Sequence, residues 1–144
     1  MSPEERARKS ARAMWERDQA SQALGMKIER IAPGEAVLSF TVAPEHLNGH
    51  GICHGGFIYA LADSAFAFAC NSYNRVVVAQ QNQITYLSPA REGERLEAHA
   101  SEAALSGRSG IYDVAVLGPD GRKIALFRGL SRQISGTHFE EEEE

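Results

Sequence analysis

The sequence predicts an α+β fold: an antiparallel sheet of about six strands wrapped around one long central helix, with an N-terminal cover helix. Three observations carry that prediction. The apolar residues between Phe57 and Ala69 fall at every angle of a 3.6-residue helix rather than on one stripe, so this helix must be wrapped on nearly all sides. Several short runs with strand-like alternation, separated by Gly, Pro, Asn and Asp, read as strands in hairpin succession. The length of 144 residues allows one core and not two, so these elements belong to a single domain over 1–139, followed by an acidic, disordered tail at 140–144.

In chain order, Pro3 to Leu24 reads as the cover helix, with Ser2 as N-cap, Pro3 at the first helical position, Glu4 and Glu5 in the first turn and Gly25 ending it. Ala7, Ala11, Met14, Trp15 and Ala20 are expected to face the body. Met26 to Ile31 and Ala36 to Val42 form a hairpin around Ala32-Pro33-Gly34-Glu35. In its second strand Ala36, Leu38, Phe40 and Val42 are core and Val37, Ser39 and Thr41 partly wet. Pro44 to Gly51 leaves the sheet and supplies Asn48.

After the central helix, Asn71 to Arg75 is a polar exit and Val76 to Tyr86 a long central strand. Simple alternation puts Gln80, Asn82 and Ile84 on one face and Ala79, Gln81, Gln83 and Thr85 on the other. So many amides either line a polar pocket or pair across a subunit boundary. Glu94 to Leu105, Ile111 to Leu117 and Lys123 to Ile134 complete the sheet, with Ser106-Gly107-Arg108-Ser109-Gly110 a loop and Gly118-Pro119-Asp120-Gly121 a turn.

Composition narrows function. The net charge of -4 and the lack of a concentrated basic face argue against nucleic acid. The apolar stretch from Phe57 to Cys70, interrupted by Asp63 and Ser64, is too short to cross a bilayer. A charged N-terminus without an apolar segment points to the cytoplasm. Cys53 and Cys70 have no metal-ligand spacing, and neither a metal nor a cofactor is expected. Cys53 beside His54 is not read as a nucleophile pair, because adjacent residues on an extended segment point apart. His46, His50, His99 and His138 have no motif and are expected at the surface.

Chemistry concentrates where a glycine-rich loop enters the central helix. The first N–H groups of a helix lack internal partners and sit at the positive end of its dipole, so they donate well to an anion or a polarised carbonyl. Gly55 lets a ligand approach that backbone closely. Asp63 lies in the middle of the same helix, where a carboxylate must be either a satisfied structural contact or a working group. Eight residues separate the two, roughly 12 Å along a helix axis. If both are catalytic, one subunit's helix start must meet another's helix middle across a two-fold axis.

Asn48, Gly49, His54, Gly55, Gly56 and Asp63, in the order N-G-x-x-x-x-H-G-G-x-x-x-x-x-x-D, resemble the acyl-CoA thioesterases of the hot-dog fold. The blocks LNGHGICHGG, LADSAFAFACNS and GIYDVAVLGPDGRKIALFRGLSRQI are similar to the phenylacetic acid degradation thioesterase family, over roughly Met14 to Gly136. The resemblance implies hydrolysis of phenylacetyl-CoA or hydroxyphenylacetyl-CoA by a homo-oligomer, commonly a dimer of dimers. It also implies catalytic roles: the Gly55 N–H on the thioester carbonyl, Asn48 orienting substrate or water, and a partner's Asp63 as general base or nucleophile. His54 is expected to orient the loop. Gly56, Phe57, Gln80 and Gln81 are candidate substrate contacts, and Arg108, Ser109 and Gly110 a basic loop for CoA phosphates. Phe57, Ile58, Tyr59, Leu61 and Leu47 are candidate acyl-pocket walls. The family's Ser or Thr helper after the helix is replaced here by Ala79, Gln80 and Gln81. Competing readings are a broader acyl-CoA thioesterase, a hydratase or dehydratase on acyl thioesters, and a non-enzymatic acyl-CoA sensor.

Overall fold

A computed structural model describes residues 1–142. Six antiparallel strands form one sheet: β1 (Lys27–Ala32), β2 (Glu35–Thr41), β3 (Val77–Tyr86), β4 (Arg95–Ser106), β5 (Ser109–Leu117) and β6 (Lys123–Gln133), in the order β1-β2-β4-β5-β6-β3. The helix α3 (Gly55–Cys70) lies on its concave face, as the hot-dog expectation requires. Leu61, Ala62, Ala65, Phe66 and Ala69 of α3 meet Leu38, Phe40, Leu96, Val114, Val116 and Phe127 of the sheet, all buried. Helix and sheet come very close at Gly129, where an added Cβ would stand 2.7 Å from the Phe66 ring. Among the described residues no helix is long and apolar enough to cross a membrane.

The N-terminal cover is two helices rather than one. α1 (Pro3–Trp15) starts on Ser2, whose hydroxyl accepts the Glu5 N–H at 3.1 Å, and α2 (Gln19–Ala23) starts on Asp18, which accepts from the Ser21 N–H at 2.9 Å and its hydroxyl at 2.7 Å. The Asp18 side chain competes for the backbone and restarts the helix. This break turns Ala20 out to solvent and buries Ser21, whose hydroxyl meets Ser64 of α3 at 2.8 Å. Ala7 and Ala11 face the body as expected.

Three further expectations are corrected. On β2, Val37 and Ser39 are buried and not wet; Ser39 donates to Glu29 at 2.7 Å, which in turn pairs with Arg95. Ser109 and Gly110 belong to β5, because Ser106 pairs with Ser109 across a two-residue turn and Gly110 is buried opposite Leu105. β3 is an edge strand and not a central one, bonded only to β6.

β3 also carries a bulge between Ala79 and Gln81, which pair with the successive residues Ser131 and Leu130. A bulge inserts one residue and reverses the alternation beyond it. Upstream the odd-numbered Val77 packs on the core; downstream the even-numbered Asn82 and Ile84 face the helix. Gln80 is therefore displaced from the face it was expected to share with Asn82.

The end of α3 is tied to the start of β3 by Asn71, which accepts from the Val77 N–H at 2.9 Å and donates to the Val77 carbonyl at 3.0 Å. Asn74, buried in a left-handed conformation that Asn tolerates, binds the C-terminal segment. Its Oδ1 accepts from the His138 and Phe139 N–H groups, and its Nδ2 donates to the Phe139 carbonyl and to Glu141. Glu141 also pairs with Arg6 of α1 at 2.8 Å, so the acidic tail expected to be free is docked at this residue. Glu143 and Glu144 lie outside the described residues.

Candidate active site

The loop before α3 is shaped by Asn48. Its Oδ1 accepts from the His50 N–H at 2.9 Å and the Ile52 N–H at 3.3 Å, while its backbone N–H donates to the Ile52 carbonyl at 2.8 Å. These bonds consume the acceptor of the side chain and leave the Nδ2 donor without a protein partner among the described residues. The turn delivers the chain to His54, which is the N-cap of α3.

His54 Nδ1 accepts the Gly56 N–H at 2.9 Å, and the His54 carbonyl accepts from Phe57 and Ile58. With the neighbouring donors occupied, the Gly55 N–H has no protein partner among the described residues. The Tyr86 hydroxyl donates to the Gly55 carbonyl at 2.8 Å and holds the next peptide unit, Gly55–Gly56. An added Cβ at Gly55 would stand 3.1 Å from the Tyr86 ring, so only glycine fits without movement.

Around that donor is a cavity of about 410 Å³ lined by Asn48, Ile52, Cys53, Gly55, Ile58, Tyr86, Leu87, Ser88 and Pro89. Asn48 and Gly55 are thus brought together. Of the expected acyl walls only Ile58 lines this space. Phe57 packs between the rings of His46 and His54 at 4.9 and 6.0 Å, Leu61 is core, and Tyr59 sits edge-on to Phe127 at 5.6 Å. Tyr86, Leu87 and Pro89 were missed as wall residues because they end or follow the strand and carry no motif.

Gly56 is already committed to His54 and offers no free donor. His46, expected at the surface, is buried: its Nδ1 accepts from the Ala43 N–H at 2.9 Å and its ring packs edge-on to Phe40. His138 is half-buried against Asn71 and the Arg75 carbonyl, and burial lowers its pKa. Cys53 is buried, and desolvation pushes its thiol up to about 11, so it is not a thiolate nucleophile.

Asp63 faces β3 two turns along the helix and is half-buried. Its Oδ1 accepts from Asn82 Nδ2 at 3.1 Å, and the same nitrogen donates to the Tyr59 hydroxyl at 2.9 Å. Oδ2 has no protein partner and is not buried. Burial raises the pKa of Asp63, opposed by the Asn82 hydrogen bond. Asn82, one of the amides expected to line a polar pocket or pair across a subunit boundary, thus meets a carboxylate; the bulge that aims it has no clear sequence signature.

Arg108 and Arg75 line a cleft of about 440 Å³ with Gln133, Ser135 and Gly136, at the C-terminal end of α3 and away from Gly55. Gln80 and Gln81 are exposed on the edge strand and do not line the cavity at Gly55.

Residues 50–125 match the thioesterase superfamily. The chain belongs to that superfamily. It is 41% identical over 132 residues to the acyl-coenzyme A thioesterase PaaI of Escherichia coli, covering 92% of this chain and 94% of that protein. The structure of E. coli PaaI, from the phenylacetic acid degradation operon, superposes with a TM-score of 0.93 at 40% identity, covering 94% of this chain and 99% of that one. A mutant of the phenylacetic acid degradation protein PaaI of Thermus thermophilus gives a TM-score of 0.76 at 45% identity, over 79% and 97% of the two chains. The thioesterase match covers the Gly55 donor, Asp63 and Asn82 together. A free N–H donor and a carboxylate are the kinds of group that thioester hydrolysis uses.

Proposed function

We propose that this thioesterase hydrolyses aryl-acetyl-CoA thioesters, of the phenylacetyl-CoA or hydroxyphenylacetyl-CoA type, to the free acid and CoA. The observation that carries the reading is the unpartnered Gly55 N–H at the edge of a cavity walled by Ile58, Tyr86 and Leu87, a space able to hold an aromatic ring. The similarity to PaaI supports the same substrate class.

In this mechanism the thioester carbonyl oxygen accepts from the Gly55 N–H, and the free Asn48 Nδ2 orients substrate or water. Asp63 then acts by one of two balanced routes. As a base it takes a proton from water while the water oxygen bonds the carbonyl carbon, and the C–S bond breaks to release CoA thiolate, which is reprotonated. As a nucleophile its Oδ2 displaces the thiolate to form a mixed anhydride that water opens. Label from isotopic water in the Asp63 carboxylate after one turnover identifies the second route.

Gly55 and Asp63 of one protomer lie about 12 Å apart along α3 and cannot act on one carbon together. The site therefore pairs Gly55 of one protomer with Asp63 of another. The edge strand β3 with the residue after it, where Val78, Tyr86 and Leu87 are exposed at 42%, 49% and 51%, is the proposed two-fold boundary, with Gln80 and Gln81 pairing across it. A dimer of dimers in the cytoplasm completes the proposal, and two free buried cysteines suit a reducing compartment. Arg108, joined by Arg75, is assigned to CoA phosphates; Ser109 and Gly110 contribute less than expected, since their backbone is engaged in β5.

Thiol release from a panel of aryl-, short- and long-chain acyl-CoAs tests the function. Phenylacetyl-CoA is expected to give the highest kcat/KM. Preference for long aliphatic chains would overturn the substrate assignment, and tight binding without thiol release would overturn hydrolysis altogether. Crotonyl-CoA hydration is not expected, because Nδ1 of His54 caps the helix and His54 does not line the cavity at Gly55.

A further inference from the structure

We propose that Asn82 is the positioning residue for the working carboxylate: the β3 bulge aims its amide at Asp63, Tyr59 braces it from behind, and together they fix one carboxylate oxygen so that the other is presented to the thioester. The inference rests on the reading of Asp63 as the group that acts on water or substrate.

The geometry is specific. An Asn amide has two N–H donors and one acceptor oxygen. Both donors are used on catalytic-side partners, Asp63 Oδ1 at 3.1 Å and the Tyr59 hydroxyl at 2.9 Å. The acceptor, Asn82 Oδ1, is the one buried side-chain polar atom without a partner among the described residues. An unsatisfied buried acceptor costs about 1–3 kcal/mol, so a purely structural role would favour a residue without it. Turning the amide over would place two acceptor oxygens face to face at Asp63, so the carboxylate dictates which way the amide points.

The backbone tells the same story. Val77 and Asn82 both face inward although one is odd-numbered and the other even-numbered, which requires the extra residue at the Ala79–Gln81 bulge. Without it, the amide would point to the other face of the sheet. Tyr59 is held in turn by its edge-on contact with Phe127 at 5.6 Å. The brace thus runs from β6 through Tyr59 to Asn82 and ends on Asp63. The groups facing the carboxylate are Tyr59 and Cys70 on its own helix and Asn82 on β3; burial pushes the Cys70 thiol up to about 12, which keeps it neutral. Among the described residues Asp63 makes no ion pair.

The test uses Asn82→Leu and Tyr59→Phe in the full chain, with phenylacetyl-CoA as substrate. Asn82→Leu removes both donors and the orphaned acceptor at similar volume, so its melting temperature is expected at or above wild type. Its kcat is expected to fall about ten- to a hundredfold with KM nearly unchanged, as misplacement of a reacting group does. The acid limb of its kcat/KM profile is expected to move to higher pH, since the lost bond favours the ionised carboxylate. Tyr59→Phe keeps the Asn82–Asp63 bond but frees the amide, so kcat is expected to fall only about two- to fivefold, with a smaller shift in the same direction. Wild-type kcat and an unmoved acid limb in Asn82→Leu would overturn the inference, as would activity lost only in step with melting temperature. Should Asn82→Leu fail to fold, an unmoved limb and wild-type kcat in Tyr59→Phe overturn the brace. An inactive Asp63→Asn beside an unchanged Asn82→Leu would sink this inference alone; an active Asp63→Asn would sink the assignment beneath it.

Discussion

At Asp63 two effects oppose one another: burial raises the pKa, the Asn82 amide lowers it, and burial is the larger. The folded protein therefore binds the proton more tightly at this group than the unfolded chain does. Its contribution to stability is fully present below the ordinary carboxylate pKa of about 3.9 and is lost as pH rises through the folded value. Asp63→Asn removes the buried charge. This variant is expected to melt at or above the wild-type temperature at pH 7, with the difference closing in acid, while hydrolysis falls by about a thousandfold or more. Paired melting and thiol-release curves check both halves. For the wild type, kcat/KM is expected to rise with pH through an apparent pKa above 3.9, the same raised group seen kinetically.

Gly55 offers a second residue-scale prediction. Gly55→Ala places a methyl 3.1 Å from the Tyr86 ring, at the mouth of the cavity. The ring is half exposed and can turn, so stability is expected to change by less than about 1 kcal/mol. The donor's alignment is disturbed, and kcat is expected to fall about a hundredfold or more. Equal losses in melting temperature and rate would contradict this.

Among the elements, α3 against β6 has no room to spare. Gly129→Ala drives a methyl into the Phe66 ring from β6, whose backbone is fixed by neighbours on both sides. Overpacking of this kind costs about 1–3 kcal/mol, and denaturant titration is expected to show it without a change in m-value. The elements also show what the sequence makes legible. α3 was readable because its apolar residues surround it, and the hairpins because their turns carry Gly with positive φ, at Gly34 and Gly121 among others. The motif residues Asn48, His54 and Gly55 stood out because a glycine-rich turn entering a helix has a chemical reason. The rest depended on pairings and side-chain bonds that the hydrophobic pattern does not carry. The bulge in β3 follows from its pairing with the distant β6, while Asp18 restarting a helix and His46 packing on Phe40 turn on short-range side-chain contacts that alternation and periodicity do not show. The edge position of β3 follows from strand order, which no run of alternating residues encodes.

For the whole molecule, the decisive question is whether the site is shared. In a mixture of Asp63→Asn and Gly55→Ala subunits allowed to exchange, about half the dimers are mixed, and each mixed dimer has one intact site of two. Roughly a quarter of wild-type activity is then expected to return from two nearly dead parents. No recovery would place both residues in the same protomer's site.

Asn74 and Arg6 hold Glu141 beside the first helix, so positions 6 and 141 are neighbours. A short peptide joining these two positions would need to cross little space, and fresh ends opened at Gly25, which has open surroundings, would leave the residues lining the Gly55 cavity in place. Such a rearranged gene is expected to yield a working enzyme, whereas a bulky insertion beside Arg6 or Glu141 would disturb both segments at once.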